Sequence, residues 1–332
     1  MKLEDVARLA GVSKTTASYV INGKASQYRI SAETVCRVMS VVEAYGYQPD
    51  PAATALRSGS SRLLGFVMPD LANQSYAHLA KLLEARARAA GFQLLITGSE
   101  DDAGVEIDLV NMLLARRIDG LLVASALTGD HSFYARIVAS GVPVIALDRA
   151  MDETSMISVV SEEQSGAEML TRSLLDEEVE GRGQIGLLGA REELVVSRLR
   201  AQGFMAAIDN TRWQGSSRYA ASFSREAGAA LCAAWLEQGE LPNHLVTTSY
   251  PLMEGVLDVL LAHPERLATM RLATFGDHRL LDFLPVRINA LPQQFELLAD
   301  SAMALMLSAL AGEYRPGIHV IPRLLRVRGS SR

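Results

Sequence analysis

Residues 6–23 read VARLAGVSKTTASYVING. Leu3, Val6, Ala7 and Ala10 recur at helical spacing until Gly11 breaks the pattern with a left-handed turn. Ser13 is a good N-cap for a second helix, which stops at Asn22-Gly23. Small Ala7 lets the two helices cross closely, and Val12, Ala17 and Val20 fill the seam. These residue types at these spacings predict a helix-turn-helix. Ser31 caps a third helix with an apolar face of Val35, Val38, Met39 and Val42. In such a motif the second helix lies in the DNA major groove with its N-terminal residues at base edges. Lys14, Thr15, Ser18 and Tyr19 project from its start as candidate readers, Lys14 toward guanine acceptors and Thr15 toward a thymine methyl. Thr16, Asn22 and Arg29 complete the candidate contacts of this head.

An ordinary helical hairpin has the same apolar pattern, and charge separates the two readings. The whole chain carries a net charge of −6. Residues 1–60 hold seven Lys/Arg and five Asp/Glu, so a slightly basic head sits on an acidic body. Only the head is suited to a polyanion. The length of 332 residues predicts about two or three domains. With 49% apolar and 21% charged residues the composition is that of a globular protein. No apolar run reaches about 18 residues, so no membrane-spanning helix and no membrane partner is expected. The opening MKLEDVARLA lacks an apolar signal region, which points to a cytoplasmic protein. Cys36 and Cys232 lie far apart, which argues against a disulfide framework or a cysteine zinc site.

Beyond the head, Gln48-Pro49-Asp50-Pro51 reads as an extended linker, followed by a short helical piece at Ala52–Arg57 and a polar stretch to Ser61. From Arg62 short apolar runs alternate with amphipathic stretches. LLGFVM (63–68), QLLIT (93–97), DGLLVA (119–124) and VPVIAL (142–147) read as buried strands, and QIGLLG (184–189), LVTTS (245–249) and RLATF (271–275) as a second series. Helical patterns lie between them. This βαβα order predicts two doubly wound parallel-sheet lobes. The expected division is 1–47 head, 48–61 linker and hinge helix, 62–160 with 292–332 first lobe, and 161–291 second lobe. The segment GRGQIG (181–186) fits GxGxxG literally, but it precedes a strand instead of following one, so it reads as a turn.

The head resembles the lac/gal repressor family. The stretch TTASYVINGKASQYRIS, with its long Gly23–Ile30 loop, is more similar to that family's fructose repressor branch, also called catabolite repressor/activator. The resemblance covers essentially the whole chain. It implies a core like that of periplasmic sugar-binding proteins and a hinge helix at Ala52–Arg57. It places Leu56 where the family wedges a leucine into the minor groove, with Arg57 beside it. An apolar wedge of this kind unstacks a flexible step and bends the duplex.

In open α/β sheets ligands bind beyond the carboxyl ends of the strands. Asp148 matches the aspartate with which the family holds sugar hydroxyls, and Arg149 beside it is suited to a phosphate. Arg200 matches the family's ligand-binding arginine, and Arg198 lies two residues earlier. Phe223 falls where the family sets an aromatic against the sugar, and Ser249 where many relatives have asparagine. Gln293 lies in the return between lobes, and Ser75 and Tyr76 where the first lobe's first helix meets the cleft. Relatives that bind neutral sugars have two aspartates after Phe275, but here the pair is Gly276-Asp277. The missing carboxylate favours an anionic ligand, although Gly276 also suits a turn.

No catalytic set emerges: the six histidines show no metal spacing, and there is no GxSxG or Walker loop. The acid pairs Asp101-Asp102 and Glu162-Glu163 read as solvated faces or helix starts. The expectation is a transcription regulator with no catalytic residue, metal or cofactor. A homodimer or tetramer would bind a pseudo-palindromic double-stranded operator and be released by a sugar phosphate, fructose 1-phosphate. Fructose 1,6-bisphosphate is a weaker candidate effector, because no second basic cluster is visible. A regulator whose ligand strengthens DNA binding, and a sugar-phosphate enzyme, remain the alternatives.

Overall fold

A computed structural model describes residues 1–48, 59–175 and 183–328. The chain forms two compact units, Met1–Arg62 and Leu63–Arg332. The hinge helix, with Leu56 and Arg57, lies outside the described residues, as do the first two residues of GRGQIG.

The first unit is three helices: α1 (Leu3–Leu9), α2 (Lys14–Ile21) and α3 (Ala32–Ala44). Gly11 takes a φ of +66°, the left-handed turn that separates α1 from α2. Ser13 caps α2 by accepting the Thr16 amide at 3.0 Å, and Ser31 caps α3 by accepting that of Thr34 at 3.3 Å. Val6, Ala7, Ala10, Ala17, Val20 and Val38 form the buried core, with Val12 half-buried against it. Met39 departs from expectation. It is 44% exposed, and Val41 joins Val35 and Val42 on the packed side instead. A helix turns about 100° per residue, so Met39 sits off the stripe centred on Val38.

The second unit contains two parallel sheets. In chain order, β1 (Leu63–Met68), α4 (Gln74–Ala89), β2 (Gln93–Gly98), α5 (Ala103–Ala115), β3 (Gly120–Val123), α6 (Ser132–Ala139), β4 (Val144–Leu147) and β5 (Ile157–Ser161) build the first lobe. The second comprises α7 (Gln164–Arg172), β6 (Gly183–Ala190), α8 (Val195–Ile208), β7 (Trp213–Ala220), α9 (Arg225–Glu237), β8 (His244–Thr247), α10 (Tyr250–Leu261), α11 (Pro264–Ala268), β9 (Arg271–Phe275) and β10 (Ile288–Leu291). The chain then returns through α12 (Phe295–Leu310) and β11 (Gly317–Ile321). The sheet orders are β11-β5-β4-β3-β1-β2 and β10-β9-β8-β6-β7. Each order reverses once, between β1 and β3 and between β6 and β8. Such switch points open a crevice at the carboxyl ends of the strands.

The predicted strands are all present, and four more join them. β5 and β10 are short, whereas β7 and β11 are edge strands with mixed, partly exposed faces. An edge strand buried on few sides needs no apolar run, so periodicity does not announce it. α12 packs its Leu298, Ala302 and Met306 into the first lobe's core beside Leu64 and Phe66. The last segment does not stay with that lobe, contrary to the expected division. Arg326 exchanges backbone hydrogen bonds with Ala290 at 2.8 and 3.0 Å, which ties residues 322–328 to the second sheet. The chain therefore crosses between the lobes three times. Among the described residues no helix is long and apolar enough to cross a membrane.

Candidate functional site

On the head, most of the candidate readers are held by near neighbours. Lys14 Nζ pairs with Glu4 at 2.6 Å, and this contact holds the Glu4 carboxyl below its ordinary range. Asn22 Nδ2 donates to the Ser18 carbonyl at 2.5 Å. Tyr19 stacks on Tyr28 with ring centroids 3.6 Å apart. Thr15 is exposed, and Arg29 is exposed on left-handed backbone with φ +52°. Thr16 is half-buried, with its hydroxyl 2.8 Å from that of Ser13 at the cap of α2.

In the second unit a cavity of about 270 Å³ lies where the strand ends of both lobes meet. Ser75, Tyr76, Asp148, Arg149, Arg200, Phe223, Ser249 and Gln293 line it together. Asp148 follows β4 on left-handed backbone with φ +64°, an uncommon conformation for a residue with a side chain. Its carboxylate accepts from the Tyr76 hydroxyl at 2.7 Å and from Gln293 Nε2 at 2.8 Å. Burial pushes this carboxyl up, but the Arg200 charge and the Tyr76 hydroxyl outweigh burial and hold it below the usual range. Burial and the Asp148 charge push the Tyr76 phenol well up. Asp148 is therefore an ionised acceptor aimed before any ligand arrives.

Three arginines surround it. Arg149 is buried, and its Nη1 donates to Asp101 Oδ1 at 2.5 Å and to the Ser125 carbonyl at 2.9 Å, while Nη2 reaches Asp101 Oδ2 at 3.2 Å. Arg200 Nε donates to Glu163 at 2.6 Å and Nη1 to the Thr248 carbonyl at 2.6 Å. Arg323 Nη2 takes the other Glu163 oxygen at 2.7 Å, and Nη1 the Leu291 carbonyl at 3.1 Å. Both of these guanidinium groups lie over the Phe275 ring, at 4.4 and 5.1 Å from its centroid. Arg149 Nε, Arg323 Nε and Thr248 Oγ1 are buried with no hydrogen-bond partner among the described residues, and all three residues line the cavity. Buried polar atoms are nearly always paired, so three orphans on residues that line one cavity are consistent with a polar ligand or water there. The N-caps of three helices, Asn73, Ser224 and Ser249, also line it, which brings three positive helix ends to the same space.

Several expectations are corrected. Arg198 is exposed and donates to the Glu193 carbonyl at 2.6 Å. Two residues along a helix is about 200°, so Arg198 and Arg200 point to opposite sides. Asp277 does not line this cavity. It is bound by Arg328 at 2.6 Å and Arg326 at 2.9 Å, and it borders an adjacent hollow. Gly276 lines the cavity with φ +82°, so backbone conformation favours glycine there independently of ligand charge. Asp102 is the expected helix start and caps α5, but Asp101 and Glu163 are not solvated: they are the counter-ions of the cavity arginines. Arg323 was not anticipated. Its signal is its place just beyond an apolar run, GIHVI, at the carboxyl end of β11.

The sequence matches two family descriptions. Residues 2–50 match "Bacterial regulatory proteins, lacI family", and residues 61–262 match "Periplasmic binding proteins and sugar binding domain of LacI family". The chain is 53% identical over 328 residues to the fructose operon regulatory protein of Vibrio cholerae, covering 99% of this chain and 100% of that one. It is 44% identical over 332 residues to the catabolite repressor/activator of Escherichia coli K12, covering 99% and 98%. The crystal structure of the Cra transcriptional dual regulator from Pseudomonas putida, in complex with fructose 1-phosphate, shares 42% identity and superposes with a TM-score of 0.76 over 81% of this chain and 99% of that one. The lac repressor dimer bound to operator shares the fold at 22% identity, with a TM-score of 0.84 over 99% and 98% of the two chains. These relatives are transcription regulators, not enzymes. With a helix-turn-helix head and a two-lobed core carrying a lined interlobe cavity, the chain belongs to the LacI family of DNA-binding, sugar-responsive transcription regulators.

Proposed function

We propose that this regulator controls genes of fructose uptake or central carbon flux and is released from its operator by fructose 1-phosphate. The observation that carries the ligand assignment is the lining of one cavity by Asp148 and by three arginines, two of which, Arg149 and Arg323, have an unpartnered Nε. Asp148, held by Tyr76 and Gln293, takes sugar hydroxyls, and Phe223 lies against the sugar face. Arg149, Arg200 and Arg323, with the helix N-termini, take one phosphate. A second phosphate is disfavoured. The cavity lining sets three arginines against Asp70, Glu100, Asp101 and Asp148, and Glu163 sits behind two of the arginines. The solved relative bound to fructose 1-phosphate supports the same ligand.

The same cavity supplies a route from ligand to lobe position. Asp101, in the first lobe, pairs with Arg149 and also with Arg191 of the second lobe, at 3.3 Å. An anion at Arg149 competes with Asp101 for that guanidinium, which frees Asp101 for Arg191 and draws the lobes together. In a homodimer on a pseudo-palindrome, lobe closure opposes the spacing of the two heads. Effector and operator then oppose each other with one coupling free energy, typically about 1–3 kcal/mol.

Calorimetric titration of the full chain with fructose 1-phosphate, fructose 1,6-bisphosphate and fructose tests the assignment. The monophosphate binds tightest, and Arg200→Ala abolishes the response. Equal binding of fructose and its monophosphate would remove the phosphate role of the arginines.

A further inference from the structure

The loop Lys24–Arg29 between α2 and α3 carries an aromatic ring outside the buried core of the head. Tyr28 is 46% exposed and takes no part in the buried core. The loop is already anchored without it. Ala25 and Ile30 pack on the core, Ile30 N donates to the Ala25 carbonyl at 2.9 Å, and Lys24 N donates to the Tyr19 carbonyl at 2.8 Å. Tyr28 spends its exposed ring on one contact. It lies flat on Tyr19 of α2, with centroids 3.6 Å apart and planes within 3°. The Tyr28 hydroxyl also pushes the Tyr19 phenol above its ordinary value.

Tyr19 follows Thr15 by one helical turn, so both lie on one face of the reading helix. A tyrosine at that position, left alone, samples several rotamers and loses them when DNA binds. Immobilising a side chain at an interface weakens binding by about two- to tenfold. We propose that Tyr28 is a positioning residue for DNA reading: it holds the Tyr19 ring beside Thr15 before DNA arrives, so that the loop between α2 and α3 sets the base preference facing Tyr19. Arg29 and Lys24 flank the ring pair with exposed cations suited to the phosphates.

The test uses the full chain and a duplex that the unaltered chain selects from a random-sequence pool. Tyr28→Ala binds that duplex about three- to tenfold more weakly, and re-selection gives a relaxed preference at the base pairs facing Tyr19. Affinity for unrelated DNA and its salt dependence stay unchanged, because no phosphate contact is lost. Tyr28→Phe keeps the stack and retains the preference. In a Tyr19→Ala background Tyr28→Ala has no further effect, which a merely structural role would not produce. Unchanged selection by Tyr28→Ala, or additive effects of the two alanine changes, would overturn the proposal. Equal loss in Tyr28→Phe would overturn it too, since the hydroxyl and not the stacked ring would then be the contact. Circular dichroism of each variant checks that the head is folded.

Discussion

In the helix-turn-helix head, candidate readers are exposed and held from nearby: Lys14 by Glu4, ten residues away, and Asn22 by Ser18, four away. In the core cavity the partners are buried and distant. Asp148 is held by Tyr76 and Gln293 from 72 and 145 residues away, and Glu163 by Arg200 and Arg323 from 37 and 160. Exposed ion pairs contribute little, so Lys14 exchanges Glu4 for a base or phosphate at little cost. The buried groups cannot be left unpaired so cheaply. The head is a surface that releases its contacts to DNA. The core is a preorganised cavity in which any new anion must redistribute existing ion pairs.

The largest expected effect comes from breaking the buried set. Glu163→Ala leaves Arg200 and Arg323 without their counter-ion, and loss of one partner of a buried pair costs about 3–5 kcal/mol. Urea unfolding of the core should show this drop while the head transition stays in place. A loss below about 1 kcal/mol would put Glu163 in the same class as the exposed pairs of the head.

A smaller effect concerns acid. The Asp148 carboxyl is held below its ordinary value by Arg200 and Tyr76 against burial. The unfolded chain therefore binds its proton at higher pH than the folded one. Its stabilisation is full above about pH 4 and is lost as pH falls through the lower folded value. The stability difference between Asp148→Asn and the parent chain should shrink as pH drops below about 4, measured by denaturant midpoints. A difference that stays constant down to pH 2 contradicts the depressed carboxyl.

The smallest effect lies in the head. Ser13→Ala removes the cap of α2, an exchange that typically costs about 1 kcal/mol. It should lower the head's melting transition and leave the core's unchanged. Equal shifts in both would mean that the two units do not unfold separately.

The same contrast explains what was legible in the sequence. Caps, turns and apolar stripes act over a few residues, so Ser13, Gly11 and Ser31 declared the head directly. Seven strands declared themselves by apolar runs, whereas the edge strands WQGSSRYA and GIHVI and the short buried strands ISVVS and INAL did not. The cavity was legible in part. Asp148 and Arg200 were found by resemblance and Arg149 by its place beside Asp148; Asp148 and Arg149 follow β4, in agreement with the topology, whereas Arg200 lies within α8. Their counter-ions were not found. Asp101 and Glu163 look like any acid beside a helix start, and only the folded chain brings Arg149 and Arg323 to them. Arg198 failed for a local reason, because two residues on a helix face opposite ways.

The central claim is that ligand in the core and DNA on the head oppose each other. The direct measurement is the affinity of the full chain for fructose 1-phosphate, taken with and without saturating operator duplex. The account predicts that operator weakens effector binding by the same factor by which effector weakens operator binding, roughly 5- to 150-fold. Equal effector affinity in the two conditions would contradict it, and tighter binding on DNA would make the ligand a corepressor.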